Sequence, residues 1–176
     1  MIVTGYQTLE DRDNIDEVEM DGPFACYRKN VWLGNGFYFW DTNIEWAHVW
    51  GEVSHKRFGR KYLIGSCAII IDNLCFDLQG NMLHLQQLKE VYEVLVASPL
   101  FTGKDISVGK VIEYLKRKGI FNYKSIRSGE ITNQALKVSY GGTRREHLVV
   151  NPRVQICVIE AKGVILPPFK VVYPED

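Results

Sequence analysis

The stretch Gly34-Asn35-Gly36-Phe37-Tyr38-Phe39-Trp40-Asp41 runs straight into Thr42-Asn43-Ile44-Glu45-Trp46-Ala47-His48-Val49-Trp50, and the fold is read outward from this pair. Two glycines around one polar residue allow a tight turn and a close approach of the backbone to a neighbour or a ligand. The aromatic run that follows predicts a short buried strand, closed by an acid. Thr42 and Glu45 stand at capping-box spacing, and Trp46, Val49, Trp50 and Val53 share one helical face. A helix is therefore expected to start at once and lay its tryptophans on a sheet, with Trp40, Trp46 and Trp50 in the core. A strand, a turn and a core helix explain this block as well as a ligand site does, so the choice depends on what the rest of the chain brings to it.

With 176 residues and 46% hydrophobic content, the chain has the size and composition of one globular domain with a sizeable core. No apolar run approaches the roughly 18 residues of a membrane span, and the N-terminal residues lack the pattern of a signal peptide. A cytoplasmic protein without a membrane segment is expected. Cys26, Cys67, Cys75 and Cys157 show no CxxC or Cys/His ligand spacing, and three of them lie in apolar strand-like runs. They read as buried free thiols. The histidines form no metal signature, so no metal is expected, and His48, His55, His84 and His147 read as structural.

The formal net charge is zero but uneven. Residues 1–21 hold Glu10, Asp11, Asp13, Asp16, Glu17, Glu19 and Asp21 against Arg12, whereas residues 104–153 hold eleven Lys and Arg against Asp105, Glu113, Glu130 and Glu146. Either a basic face meets a polyanion, or the acidic segment lies on the protein's own basic surface.

In chain order, residues 2–8 predict a central first strand ending at Gln7-Thr8, a natural place for binding side chains. Ile15, Val18 and Met20 fit a short amphipathic helix stopped by Gly22-Pro23. Arg28-Lys29, just before the glycine turn, offers donors to a phosphate. Residues 62–71 read as a buried strand and 75–78 as a shorter one. Two helices follow, one from an Asn81 cap to Ala97 and one from a Ser107 cap to a basic last turn, Lys116-Arg117-Lys118. Short strands are expected at 121–126, 135–139, 147–150, 155–161 and 164–172. No repeat or linker divides the chain. The expected architecture is a single α+β domain over 1–176, with a split or bent sheet of short strands, packed helices and a helical insertion at about 81–119.

The block 34–41 resembles the G-x-G-[hydrophobic]-Y element of the diphtheria-toxin-like and poly(ADP-ribose)-polymerase-like ADP-ribosyltransferases, in which a helix follows in the same way. A second stretch, Arg145-Glu146-His147-Leu148-Val149-Val150-Asn151-Pro152-Arg153-Val154-Gln155-Ile156, is similar to that family's glutamate segment, where the catalytic acid opens a strand. The resemblance implies an ADP-ribosyltransferase-like fold and NAD as co-substrate. It implies Tyr38 over the nicotinamide ring, Gly36 and Ala47 beside it, and Glu146 as the catalytic glutamate. The family's first strand ends in an aromatic residue followed by His. Here Tyr6-Gln7-Thr8 puts Gln7 at the histidine position, with Tyr6, Thr8 and Arg28 completing the donor site. An amide both donates and accepts hydrogen bonds, which suits a ribose; growth of poly(ADP-ribose) chains is not implied.

The chemistry explains why Glu146, Tyr38 and Gln7 suffice. Cleaving the bond between nicotinamide and ribose passes through an oxocarbenium-like transition state, so the site must hold the ring, align the sugar and place negative charge by the cation. The expected function is an NAD-dependent mono-ADP-ribosyltransferase acting on an intracellular macromolecule, with RNA or DNA favoured over protein by the basic bias of 104–153. Family members of this size include toxins of toxin-antitoxin and phage-defence systems, which brings an antitoxin partner into view. The alternative is a non-catalytic module on the same fold that binds NAD, ADP-ribose or a protein, the reading that Gln7 favours. An RNA 2'-phosphotransferase would require an arginine and histidines not placed here.

Overall fold

The computed structural model describes residues 1–28, 31–101, 105–130, 136–141 and 147–174. Along the chain run β1 (Ile2–Glu10), α1 (Ile15–Asp21), β2 (Ala25–Cys26), β3 (Gly36–Asp41), α2 (Ile44–Ser54), β4 (Tyr62–Ile70) and β5 (Cys75–Asp77). They are followed by α3 (Met82–Ala97), α4 (Val108–Arg117), β6 (Ser125–Glu130), β7 (Lys137–Ser139), β8 (His147–Val149), β9 (Arg153–Val158) and β10 (Ile165–Tyr173). The architecture is α+β. One mixed sheet has the order β10-β4-β1-β3-β9-β6-β5 with β2 added on β3, and β7 and β8 form a separate ribbon.

The first strand is central, as its composition predicts, between β4 and β3, but it runs past the expected end at Gln7-Thr8 to Glu10 because Leu9 and Glu10 continue the pairing with β4. Its β-branched run zips along β4 from Ile2↔Ile70 to Glu10↔Tyr62 without a break. Every neighbouring pair in the large sheet is antiparallel except β5 and β6. Parallel neighbours need a long crossover, and the helical stretch at 81–119 supplies it as α3 and α4. Asn81 and Ser107 cap these helices as expected, accepting from Leu83 and His84 and from Lys110 backbone N–H groups.

One face of the sheet buries Phe39, Leu63, Ile69, Ile156 and Phe169 together with Val18 of α1. The opposite face has two covers. Trp46 and Ala47 of α2 lie with Trp40, Tyr62 and Ile64, while Ile112 of α4 lies with Phe76, Ile126 and Cys157.

Helix α2 departs from the expectation in two ways. Its cap is Asn43, whose side chain accepts from the Glu45 N–H; Thr42 sits at φ 61° and its hydroxyl donates to Asp41. The buried residues are Trp46, Ala47 and Gly51, while Trp50 is 39% exposed and Val49 and Val53 face solvent. Ala47 and Gly51, one turn apart, are the smallest residues of the helix, and the stripe they form allows it to close on the sheet. Rotating that stripe inward turns the larger side chains outward, so Trp50 reaches Trp40 only at a ring separation of 6.4 Å.

The strand expected at 121–126 starts instead at Ser125. Phe121 and Tyr123 pack as aromatic side chains on Phe76, at 5.7 and 4.9 Å, ahead of the strand. The strand expected at 135–139 is observed from Lys137, and Ala135 lies outside the described residues. Three acids of the N-terminal segment pair with cations outside the basic stretch 104–153: Glu10 with Arg60, Asp13 with Lys61 and Glu19 with Lys170. No described helix is long and apolar enough to cross a membrane.

All four cysteines are free, and Cys67, Cys75 and Cys157 are buried in strands. Burial pushes the thiol of Cys67 up to about 12, that of Cys75 to about 11 and that of Cys157 to about 12. The thiolate is the reactive species, so iodoacetamide at pH 8 is expected to label Cys26 alone in the folded protein and all four after unfolding in urea. Intact-mass spectrometry counts the adducts, and rapid second and third additions without urea would contradict this burial.

Candidate functional site

Strand β3 is where distant parts of the sequence meet. It pairs with β1 at Gly5↔Asp41 and Tyr6↔Trp40, with β9 from Phe37↔Val158 to Trp40↔Gln155, and with β2 at Ala25↔Phe37 and Cys26↔Gly36. The glycine turn before it is needed on two counts. Gly34 has φ +96°, and a Cβ on Gly36 would come within 2.4 Å of the Val158 carbonyl oxygen.

Tyr38 projects from this strand onto the face covered by α4 and is half-buried beside Trp32, Leu33 and Cys157. Its hydroxyl donates to the Gly34 carbonyl at 2.7 Å and accepts from the Leu33 N–H at 3.1 Å. Burial, and next the Cys157 thiol, push its phenol well above the usual range, so it stays protonated. The ring plane is thereby fixed against the turn that precedes its own strand. Trp32 is held alongside by donating from Nε1 to the Gln155 side chain at 2.7 Å.

Gln7 stands where β1 and β3 stop pairing. Only 6% exposed, it donates from Nε2 to the Phe24 carbonyl at 2.7 Å and to the Tyr38 carbonyl at 3.3 Å, and its Oε1 accepts from the Phe24 N–H at 2.9 Å. The side chain replaces the missing strand-to-strand hydrogen bonds, and both of its N–H groups are used in doing so. Thr8 continues outward and donates to the Ala47 carbonyl at 2.8 Å, which ties β1 to α2. Ala47 is fully buried, and Tyr6 packs with Trp40 and Trp46. Arg28 is exposed on the loop after β2.

Among the residues expected at the site, Gln7 and Tyr38 are thus joined by a hydrogen bond, Thr8 and Ala47 by another, and Gly36 lies on the same strand as Tyr38. Glu146 lies outside the described residues; it directly precedes β8, which a short turn links to β9. Two surface clefts open elsewhere. One of about 650 Å³ is bounded by Ile71, Asp77, Asn81 and His84, and one of about 370 Å³ by Pro23, Phe37, Leu166 and Phe169; neither is lined by Tyr38 or Gln7.

Comparison with protein-family models, curated proteins and solved structures gives no match to this chain.

Two features escaped the reading of the sequence. Arg127 of β6 lies between Asp41 and Asp77, with Nε 2.6 Å from the Asp41 carboxylate and Nη1 3.4 Å from that of Asp77. A charged residue at an inward position of a strand pattern, Ser125-Ile126-Arg127-Ser128, is the signal that could have marked it. The second is Arg153, whose guanidinium lies 5.0 Å from the Trp40 ring while it pairs with Glu130.

Proposed function

We propose that this chain is an NAD-dependent mono-ADP-ribosyltransferase whose donor site is centred on Tyr38. The observation that supports it is the convergence on β3. The strand that carries Gln7 and Thr8, the strand that carries the tyrosine after the glycine turn, and β9, which follows Glu146 after the separate strand β8, are far apart in sequence and neighbours in the sheet.

In this reading the ring of Tyr38 stacks on nicotinamide, and stacking uses the ring face, so the bonds of its hydroxyl to the Gly34 turn hold the platform rigid rather than occupy it. Glu146 binds a ribose hydroxyl and stabilises the positive charge as the glycosidic bond breaks. Nicotinamide leaves with the bonding electrons, and a nucleophile of the acceptor attacks C1' and loses its proton. Gln7 acts as a positioning residue, since its amide holds the Tyr38 carbonyl. The acceptor is an intracellular macromolecule, nucleic acid before protein.

A second reading is favoured by one observation. Both N–H groups of Gln7, the residue at the ribose-binding place, are taken by protein carbonyls, which suits a module that binds NAD or ADP-ribose without turnover. Incubation with NAD labelled in the nicotinamide moiety separates the two. The transferase releases labelled nicotinamide, loses that release in Glu146→Ala, and keeps it in Glu160→Ala, where the exposed glutamate pairs with Lys124. Saturable binding of NAD without release from the unaltered protein would establish the module instead.

A further inference from the structure

The turn that ends α2 carries charge and aromatic surface that the proposed donor site does not use. The chain there reads His55-Lys56-Arg57-Phe58-Gly59-Arg60-Lys61. The Phe58 N–H and the Arg60 N–H both donate to the His55 carbonyl, so the segment is a closed turn rather than an open loop. Phe58 is 68% exposed at its tip, and the Arg60 guanidinium lies 5.8 Å from its ring. An exposed ring flanked by cations on a fixed turn has no packing role.

A second aromatic and basic pair approaches the same place. Tyr27 is 76% exposed and Arg28 follows it. The Gln7 side chain of β1 holds the Phe24 backbone, so Tyr27 and Arg28, three and four residues further on, leave β2 beside the end of β1 at which Glu10 pairs with Arg60. Arg28 and Arg57 have no ion-pair partner among the described residues. Lys56, Arg60 and Lys61 pair with Glu52, Glu10 and Asp13, but all three pairs are solvent-exposed. Exposed pairs are worth at most about 1 kcal/mol and yield readily to a competing phosphate.

We infer that Phe58, Tyr27 and the arginines Arg28, Arg57 and Arg60 form a docking surface for single-stranded nucleic acid, with bases stacked on the two rings and phosphates on the guanidinium groups. Aromatic platforms interleaved with cations bind single strands without reading sequence, because every base has a face to stack and every nucleotide a phosphate. A duplex keeps its bases stacked inside and cannot use the rings. The surface lies at the outer end of β1, where Glu10 pairs with Arg60, a few residues beyond Gln7 and Thr8. It would therefore present a strand to the proposed donor site, but the binding itself does not rest on that activity.

The test is fluorescence anisotropy with a labelled ten-nucleotide oligouridylate, an oligothymidylate of the same length and a duplex of that length. Both single strands are expected to bind at low salt, with log K falling against log[salt] by about 0.7 per phosphate contacted, and the duplex to bind more weakly. Phe58→Ala should weaken single-strand binding by roughly tenfold, the loss of one stacked base. Arg57→Glu should weaken it further and flatten the salt slope, while Lys116→Glu with Lys118→Glu, on α4, should leave it unchanged. Circular dichroism verifies that the variants fold. The inference is overturned by absence of binding at low salt, by equal affinity for the duplex, by wild-type affinity in Phe58→Ala, or by equal weakening from the α4 pair. Nicotinamide release measured without oligonucleotide stays at the wild-type level in Phe58→Ala, so failure of the docking surface and failure of the transferase reading are scored separately.

Discussion

Arg127→Ala is expected to lower the thermal midpoint by roughly 10 °C. The guanidinium ties three strands of one sheet, β6 to β3 through Asp41 and β6 to β5 through Asp77. Its side chain is 16% exposed, that of Asp41 3% and that of Asp77 14%, so none of the three is well hydrated. Removing the arginine leaves two carboxylates in a poorly solvated site, and breaking a buried pair in this way costs about 3–5 kcal/mol. For a chain of this length each kcal/mol moves the midpoint by about 2–4 °C. Lys124→Ala, which breaks the exposed pair with Glu160, provides the comparison and should cost at most about 1 kcal/mol. Urea titration reads both, with the midpoint shifting at constant slope. Equal shifts for the two variants would mean that the Arg127 cluster contributes no more than a surface pair.

Why this cluster was illegible in the sequence while β3 was not follows from how each is encoded. The aromatic run, the Asn81 and Ser107 caps and the β-branched first strand act over a few residues, so period and composition reveal them. Arg127 and Asp41 are 86 residues apart and meet only because β9 separates their strands by one position in the sheet. No local pattern carries that register. Helix α2 failed for a related reason: its apolar residues mark a plausible face, but the face that packs is set by Ala47 and Gly51, whose value is their small size against Tyr62 and the sheet. The glycine turn and Tyr38 were legible as a motif. That the Tyr38 hydroxyl closes on Gly34, and that the Gln7 amide faces the backbone of β3, depends on side-chain direction, which spacing does not specify.

Gln7 carries the other large expected effect. Gln7→Leu fills a similar volume but leaves the Phe24 N–H, the Phe24 carbonyl and the Tyr38 carbonyl without their partner. An unsatisfied buried group costs about 1–3 kcal/mol. Phe24 is 40% exposed, so water can take over part of its loss, whereas the Tyr38 carbonyl lies inside the sheet. A total of about 2–4 kcal/mol is expected, with the damage concentrated where β1 and β3 part. Gln7→His, which introduces the residue of the resembled family, supplies one ring N–H for two carbonyls and should fall between the wild type and Gln7→Leu. Hydrogen exchange gives the local test: the Phe24 amide should exchange at least about tenfold faster in Gln7→Leu, while amides along the β1–β4 ladder keep their protection. Unchanged exchange at Phe24 would show that the glutamine does not hold the strands at this point. Faster nicotinamide release by Gln7→His, despite its lower stability, would instead return the side chain at this position to the ribose. The two outcomes separate a residue that shapes the tyrosine strand from one that touches the donor, because only the second gains from an imidazole.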